Sequence, residues 1–167
     1  MLNNDDIDKC RAYIDEYLDK TKKKGRFTRS GNSVLDYMID SKLSPLDDVE
    51  IIVAGDIGNL SDVQDTDLAS LIGNILDNAI EAETQVAEKR IELLFNSHNE
   101  MRMIICKNTV NGSVLKNNKE LCSTKNSSHH GYGSRIISEI VKKYNGFVRY
   151  FEEDGMFGIQ VMLPSKR

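Results

Sequence analysis

Tryptophan is absent from the 167 residues, and cysteine and histidine occur only three times each. Cys10, Cys106 and Cys122 are odd in number and form no CxxC, so they fit reduced thiols better than a disulfide scaffold. His98, His129 and His130 have no cysteine or carboxylate at metal-ligand spacing, which argues against a metal centre of that kind. No apolar run approaches the roughly 20 residues that span a bilayer. The acidic, polar start MLNNDDIDKC is not a secretory signal. Positive charge is also short: the net charge is −4, and the one basic run, Lys22 to Arg29, is brief. A broad nucleic-acid-binding surface is therefore disfavoured, because phosphate neutralisation needs clustered Lys and Arg.

What is present suffices for one folded domain. Apolar residues make up 40% and charged residues 29%, and a chain of this length buries roughly 70% of its unfolded surface. Residues 5–24 carry Ile7, Cys10, Ile14, Tyr17 and Thr21 at spacings of three and four, with acids first and lysines last. This predicts an amphipathic helix aligned with its dipole. Its stripe is narrow, so it is either a surface helix of the domain or a pairing helix. A helix is predicted at 33–42, ended by Pro45, then a β-branched strand at 49–54. The broad face of Leu68, Leu71, Ile72, Ile75, Leu76, Ala79 and Ile80 predicts a long helix over 65–83. Strands at 89–95 and 101–106, a polar stretch at 108–132, a helix at 133–144 and strands at 146–151 and 157–163 complete the chain. A stretch such as 108–132 is usually a functional lid or disordered. The order implies a two-layer α/β sandwich: a mixed sheet of about five strands, three helices on one face and an N-terminal helix.

Two segments point to chemistry. In LIGNILDNAIEA, Asn74, Asp77 and Asn78 interrupt an otherwise apolar helix. Asn74 and Asn78 are spaced i, i+4 and share a face, although Asn is a poor interior helix residue. Neutral amide oxygens suit a hard cation that takes its charge balance from substrate phosphates, as nucleotide-bound Mg²⁺ does. The plain alternative is that both amides are exposed or bonded within the fold. In HHGYGSRII, Gly131 and Gly133 flank Tyr132 at the start of a helix, where backbone N–H groups can approach an anion. A hinge or cap would look the same.

Taken together and in this order, the two segments resemble the GHKL ATPase superfamily, which has the Bergerat fold. Within it the match is to the ATP-binding catalytic domain of sensor histidine kinases. NILDNAIEA looks like the N box, HGYGSRIISEIVKKYNG like the second glycine box with its helix, and FEEDGMFGIQVMLP like the last hairpin. GNSVLDYMIDSKL followed by VEIIVAGDIGNL resembles the peptide-pheromone-sensing kinases of Gram-positive quorum sensing. The resemblance implies ATP and Mg²⁺ as cofactors, with Asn78 as the metal ligand and Asn74 beside it near the triphosphate. Lys125 matches a lid lysine that contacts phosphates. His130, Gly131, Tyr132 and Gly133 match the segment wrapping them. Residues 1–30 correspond to the end of a dimerisation helix and its linker, and 31–167 to the catalytic domain. A homodimer through that helix, a response-regulator partner and a cytoplasmic location within a membrane-anchored sensor are implied as well.

The chain departs from the family pattern at two places. The usual DxGxG box, whose Asp accepts from the adenine amino group, is replaced by CKNTVNG, with Lys107 or Asn108 at the Asp position. An Asn108 amide oxygen accepts more weakly than a carboxylate, so loose ATP binding is expected. A non-catalytic nucleotide-binding or dimerisation scaffold is the alternative reading. The second departure is that no His stands where a phosphoacceptor should be, so the expected acceptor lies outside this chain. The superfamily's ATP hydrolases carry a Glu base where Asn74 stands. Asn74 cannot take a proton, so bound ATP is kept for another nucleophile. The same substitution disfavours a Ser/Thr kinase of the anti-sigma type.

Overall fold

The computed structural model describes residue 27 and residues 30–117 and 132–165. The helix expected over residues 5–24 and most of the polar stretch, including Lys125, His130 and Gly131, lie outside them.

Asn32 starts the first described helix, α1 (Ser33–Leu43), by accepting the N–H groups of Val34 and Leu35 on its side-chain oxygen, each at 3.0 Å. Such a cap is worth about 1 kcal/mol. Leu35, Ile39 and Leu43 recur along one face and are fully buried. After the edge strand β1 (Glu50–Gly55) comes α2 (Asp65–Glu83), whose buried face runs through Leu68, Leu71, Ile72, Ile75, Leu76 and Ala79. Strands β2 (Arg90–His98) and β3 (Met101–Thr109) meet at Asn99 and Glu100, both with positive φ (48° and 62°), which suits the twist of a two-residue hairpin.

A short helix α3 (Val114–Asn117) stands in the stretch read as unstructured from sequence. It is held from outside: Ser113 Oγ and the Leu115 N–H donate to the Glu152 carboxylate at 2.7 and 2.8 Å. Helix α4 (Tyr132–Lys143) and strands β4 (Phe147–Glu153) and β5 (Met156–Pro164) follow. At the end of α4, Asn145 takes a positive φ of 55°. The Gly146 N–H donates to the Val141 carbonyl at 2.8 Å, closing the helix in a Schellman-type cap. A Cβ on Gly146 would lie 2.4 Å from the Met162 carbonyl oxygen, so only glycine lets the chain turn this close to β5.

The sheet order is β1-β2-β3-β5-β4. β1 and β2 are parallel, and every other pair is antiparallel. Alternate residues of β2, β3 and β5 (Ile91, Leu93 and Phe95; Ile104 and Cys106; Ile159, Val161 and Leu163) join the buried faces of α1, α2 and α4 in one core. This is the expected two-layer sandwich with a mixed five-stranded sheet. Phe27 also packs on the core, and its N–H donates to Asp40 at 2.9 Å.

Two polar clamps hold the ends of the layers. Arg102 is 1% exposed. It grips Asp62 with both terminal nitrogens, at 2.6 and 2.9 Å, and donates to the Asn59 and Pro164 carbonyls. It thereby ties the loop before α2 to the sheet, while its Nε is buried without a partner. At the other clamp, Lys143 Nζ and Tyr144 Oη both donate to Asp67 at 2.6 Å, joining the end of α4 to the start of α2. These bonds hold the Asp67 carboxyl below its ordinary pKa, the Lys143 contact first and the Tyr144 contact second.

Candidate functional site

Asn74 and Asn78 stand on the side of α2 that meets the start of α4. Asn74 Nδ2 donates to the Ser70 carbonyl at 2.7 Å. This is the back-bonding expected of a polar side chain inside a helix, and it leaves the amide oxygen facing α4. There it meets Gly133. A Cβ on Gly133 would lie 2.9 Å from Asn74 Oδ1 and 3.4 Å from Asn78 Oδ1. Two neutral oxygens thus converge beside the first turn of α4, whose leading N–H groups have no partner within the helix. Such a donor set fits a hydrated hard cation accompanied by phosphate, and the helix end favours the phosphate's charge. Tyr132, one residue earlier, is 82% exposed.

Asp77 belongs elsewhere. Its carboxylate pairs with Lys42 Nζ at 2.5 Å, joining α2 to α1, so the structure removes it from the group read together in the sequence. Among the described residues, no cluster of three or more His, Cys, Asp or Glu could hold a metal. No helix there is long and apolar enough to cross a membrane.

Asn78 also lines a cavity of about 470 Å³ between α2, the sheet and α3, within the range of small-ligand sites. Its walls include Ile75, Ala79, Val110, Tyr150 and Phe157, and the last two rings stack with centroids 5.9 Å apart. Asn108 and Cys106 reach the cavity from β3. Residues alternate along a strand, so Lys107 faces the other way and pairs with Glu92 at 2.6 Å. Of the two residues that the sequence left open, Asn108 is the one in the cavity. It is 4% exposed, and its Nδ2 donates to the Thr109 carbonyl at 3.1 Å. β3 runs on to Thr109, beyond the end expected at 106. Burial pushes the Cys106 thiol up to about 12, helped by the nearby Glu83 charge, so it is neither a nucleophile nor a thiolate ligand at neutral pH.

Glu83 joins this region from outside the two sequence motifs. It is 3% exposed and accepts the Thr109 N–H on one carboxylate oxygen at 2.9 Å and the Arg90 N–H on the other at 3.1 Å. Burial raises its pKa, an effect the two N–H bonds oppose. Its place at the last turn of a helix, on the buried face, was the available signal. A carboxylate there needs partners that only tertiary structure reveals.

A family model described as a GHKL domain matches residues 63–164. Sensor histidine kinase NatK of Bacillus subtilis (strain 168) is 25% identical over 168 residues, covering 94% of this chain and 52% of that protein. This chain therefore spans about half the length of that relative. Among solved structures, the mycobacterial sensor histidine kinase MprB superposes with a TM-score of 0.60 at 17% identity, covering 80% of this chain and 94% of that one. A nucleotide-free catalytic domain of histidine kinase ThkA superposes with a TM-score of 0.62 at 13% identity, covering 83% and 96%. At these identities the superpositions speak for the fold.

Proposed function

Since this chain belongs to the GHKL domain family, we propose that it is the ATP-binding catalytic domain of a sensor histidine kinase, holding Mg-ATP for transfer of the γ-phosphoryl group to a histidine outside this chain. The observation that carries the reading is the convergence of Asn74 and Asn78 oxygens on Gly133, at the mouth of the cavity that holds Asn108. The base would lie in the apolar cavity against Asn108, and the phosphates beside the start of α4. Asn78 would hold Mg²⁺, which when bound neutralises phosphate charge. Asn74 stands next to it with no proton-accepting group, so water is poorly activated and ATP persists. Gly133 lies beside both amides, and Tyr132, the exposed residue before it, is assigned with it to the phosphate end. Lys125, His130 and Gly131 are assigned to the phosphates by resemblance alone.

In the transfer the bond between the γ-phosphorus and its bridging oxygen breaks, and a bond from that phosphorus to an imidazole nitrogen forms. ADP departs with the electron pair, and the imidazole proton passes to solvent. Positioning and charge neutralisation supply most of the catalysis. His98, the one histidine among the described residues, sits exposed at the end of β2. The acceptor is thus assigned to a dimerisation hairpin, to which residues 1–30 would contribute, in a homodimer anchored to a membrane. Onward transfer to a response-regulator Asp and a role in peptide-pheromone sensing complete the proposal.

The test supplies the missing hairpin in trans with labelled ATP. Acid-labile, base-stable label on its histidine is the expected result. No phosphohistidine despite measurable ATP binding would sink the kinase reading, and no binding at millimolar ATP would favour a scaffold.

A further inference from the structure

Glu83 lies on the same helix as Asn78 and five residues beyond it, a rise of about 7.5 Å. Its side chain leaves α2 at the end of the cavity and enters the sheet where the β2–β3 ladder stops, just past the Ile91–Asn108 pair. There the two backbone N–H groups that bracket the ladder's end, Arg90 and Thr109, both donate to its carboxylate. The next peptide is held from the other side, with the Val110 N–H donating to the Gly155 carbonyl at 3.2 Å. Thr109 is therefore pinned twice. Its carbonyl oxygen, fixed by those two bonds, receives Asn108 Nδ2.

This chain of bonds decides which end of an amide meets a bound base. Asn offers a donor and an acceptor that exchange places when the amide flips. With one of the two Nδ2 hydrogens held by the Thr109 carbonyl, the amide cannot flip without losing that bond, and Oδ1 is kept as an acceptor for the cavity. A 6-amino purine presents a donor at that edge and a 6-oxo purine an acceptor. Resting on the nucleotide reading above, we infer that Glu83 is a positioning residue for purine selection. It holds Thr109 so that Asn108 presents its oxygen to the base, favouring ATP over GTP in a site that has a neutral amide where a carboxylate would need no orienting. Asn78 and Glu83 then use one rigid helix to set the spacing between the phosphate and base ends of the site.

The test measures ATP and GTP affinities by displacement of a fluorescent nucleotide, in the parent chain, Glu83→Gln, Glu83→Ala, Asn108→Ala and the double variant Glu83→Gln/Asn108→Ala. The parent should prefer ATP. Asn108→Ala should lower the ATP-to-GTP preference by about five- to tenfold, the worth of one neutral hydrogen bond. Glu83→Gln should lower it nearly as far, and the double variant no further, because Glu83 acts through Asn108. Glu83→Gln keeps the side chain's volume and one oxygen, so it carries the test if Glu83→Ala does not fold. A merely structural Glu83 would lower the melting temperature and leave the preference untouched, and that result overturns the inference, as does additivity of the two losses. A parent that binds ATP and GTP equally also overturns it while sparing the ATP-site reading. A parent that binds neither nucleotide ends both.

Discussion

Gly133 and Asn74 meet across the α2–α4 contact so closely that a methyl group on the glycine would lie 2.9 Å from the amide oxygen. That approach joins two segments almost 60 residues apart in sequence and makes one site of them. Gly133→Ala should therefore weaken Mg-ATP binding by about tenfold or more, since misplacements of about 1 Å can cost as much as a hundredfold. Alanine favours the helix by up to about 1 kcal/mol over glycine, so the fold should survive. Calorimetric titration beside a thermal melt separates the two effects. Unchanged affinity would show that the phosphates lie elsewhere.

Asn74→Glu places a carboxylate one helical turn from the proposed Mg²⁺ ligand. If bound ATP persists because no base is present, this variant should release phosphate faster than the parent, by about a hundredfold if the new base is well placed. A steady-state phosphate assay is sufficient. An equal or slower rate in a variant that still binds ATP would reject the assigned role of position 74.

Removing the Arg102 guanidinium takes from the Asp62 carboxylate a cation that holds it with two nitrogens in a mostly buried place. Arg102→Met should cost about 3–5 kcal/mol of stability, the usual toll for breaking one side of a buried pair. A lowered urea midpoint with an unchanged slope would record it. A loss below about 1 kcal/mol would mean that the clamp contributes little.

Acid should loosen the α2–α4 clamp. The Asp67 carboxyl is held below its ordinary 3.8 by Lys143 and Tyr144. Its stabilising contribution is thus full above pH 3.8 and is lost as pH falls through the lowered folded value. Glu83 acts in the opposite sense: its pKa is raised above 4.5, so its contribution is greatest below that value and falls as pH rises through the folded value. Asp67→Asn should flatten the acid limb of a melting-temperature profile, and Glu83→Gln should steepen it. Identical profiles for parent and Asp67→Asn would dismiss the first effect.

Periodicity made the helices and strands legible. The apolar faces of α1, α2 and α4 recur at helical spacing, and the strands are bounded by turn residues such as Asn99 and Gly155. The site was half legible. Asn74 and Asn78 stood out because amides are costly inside an apolar helix, and Gly133 because glycine opens a helix beside a polar stretch. Helix α3 has no signature in the sequence because four residues carry no period and their hold comes from Glu152, far along the chain.

The sequence by itself determined the element order, the layered class and the spacing of the two amides on α2, because these follow from local periodicity and the chemistry of single residues. Only the tertiary structure chose Asn108 over Lys107, sent Asp77 to Lys42, and made Glu83 the anchor of β3. Each of those outcomes depends on which face of a strand or helix meets a partner 15 to 35 residues away. Burial and hydrogen bonding at that range have no local signature.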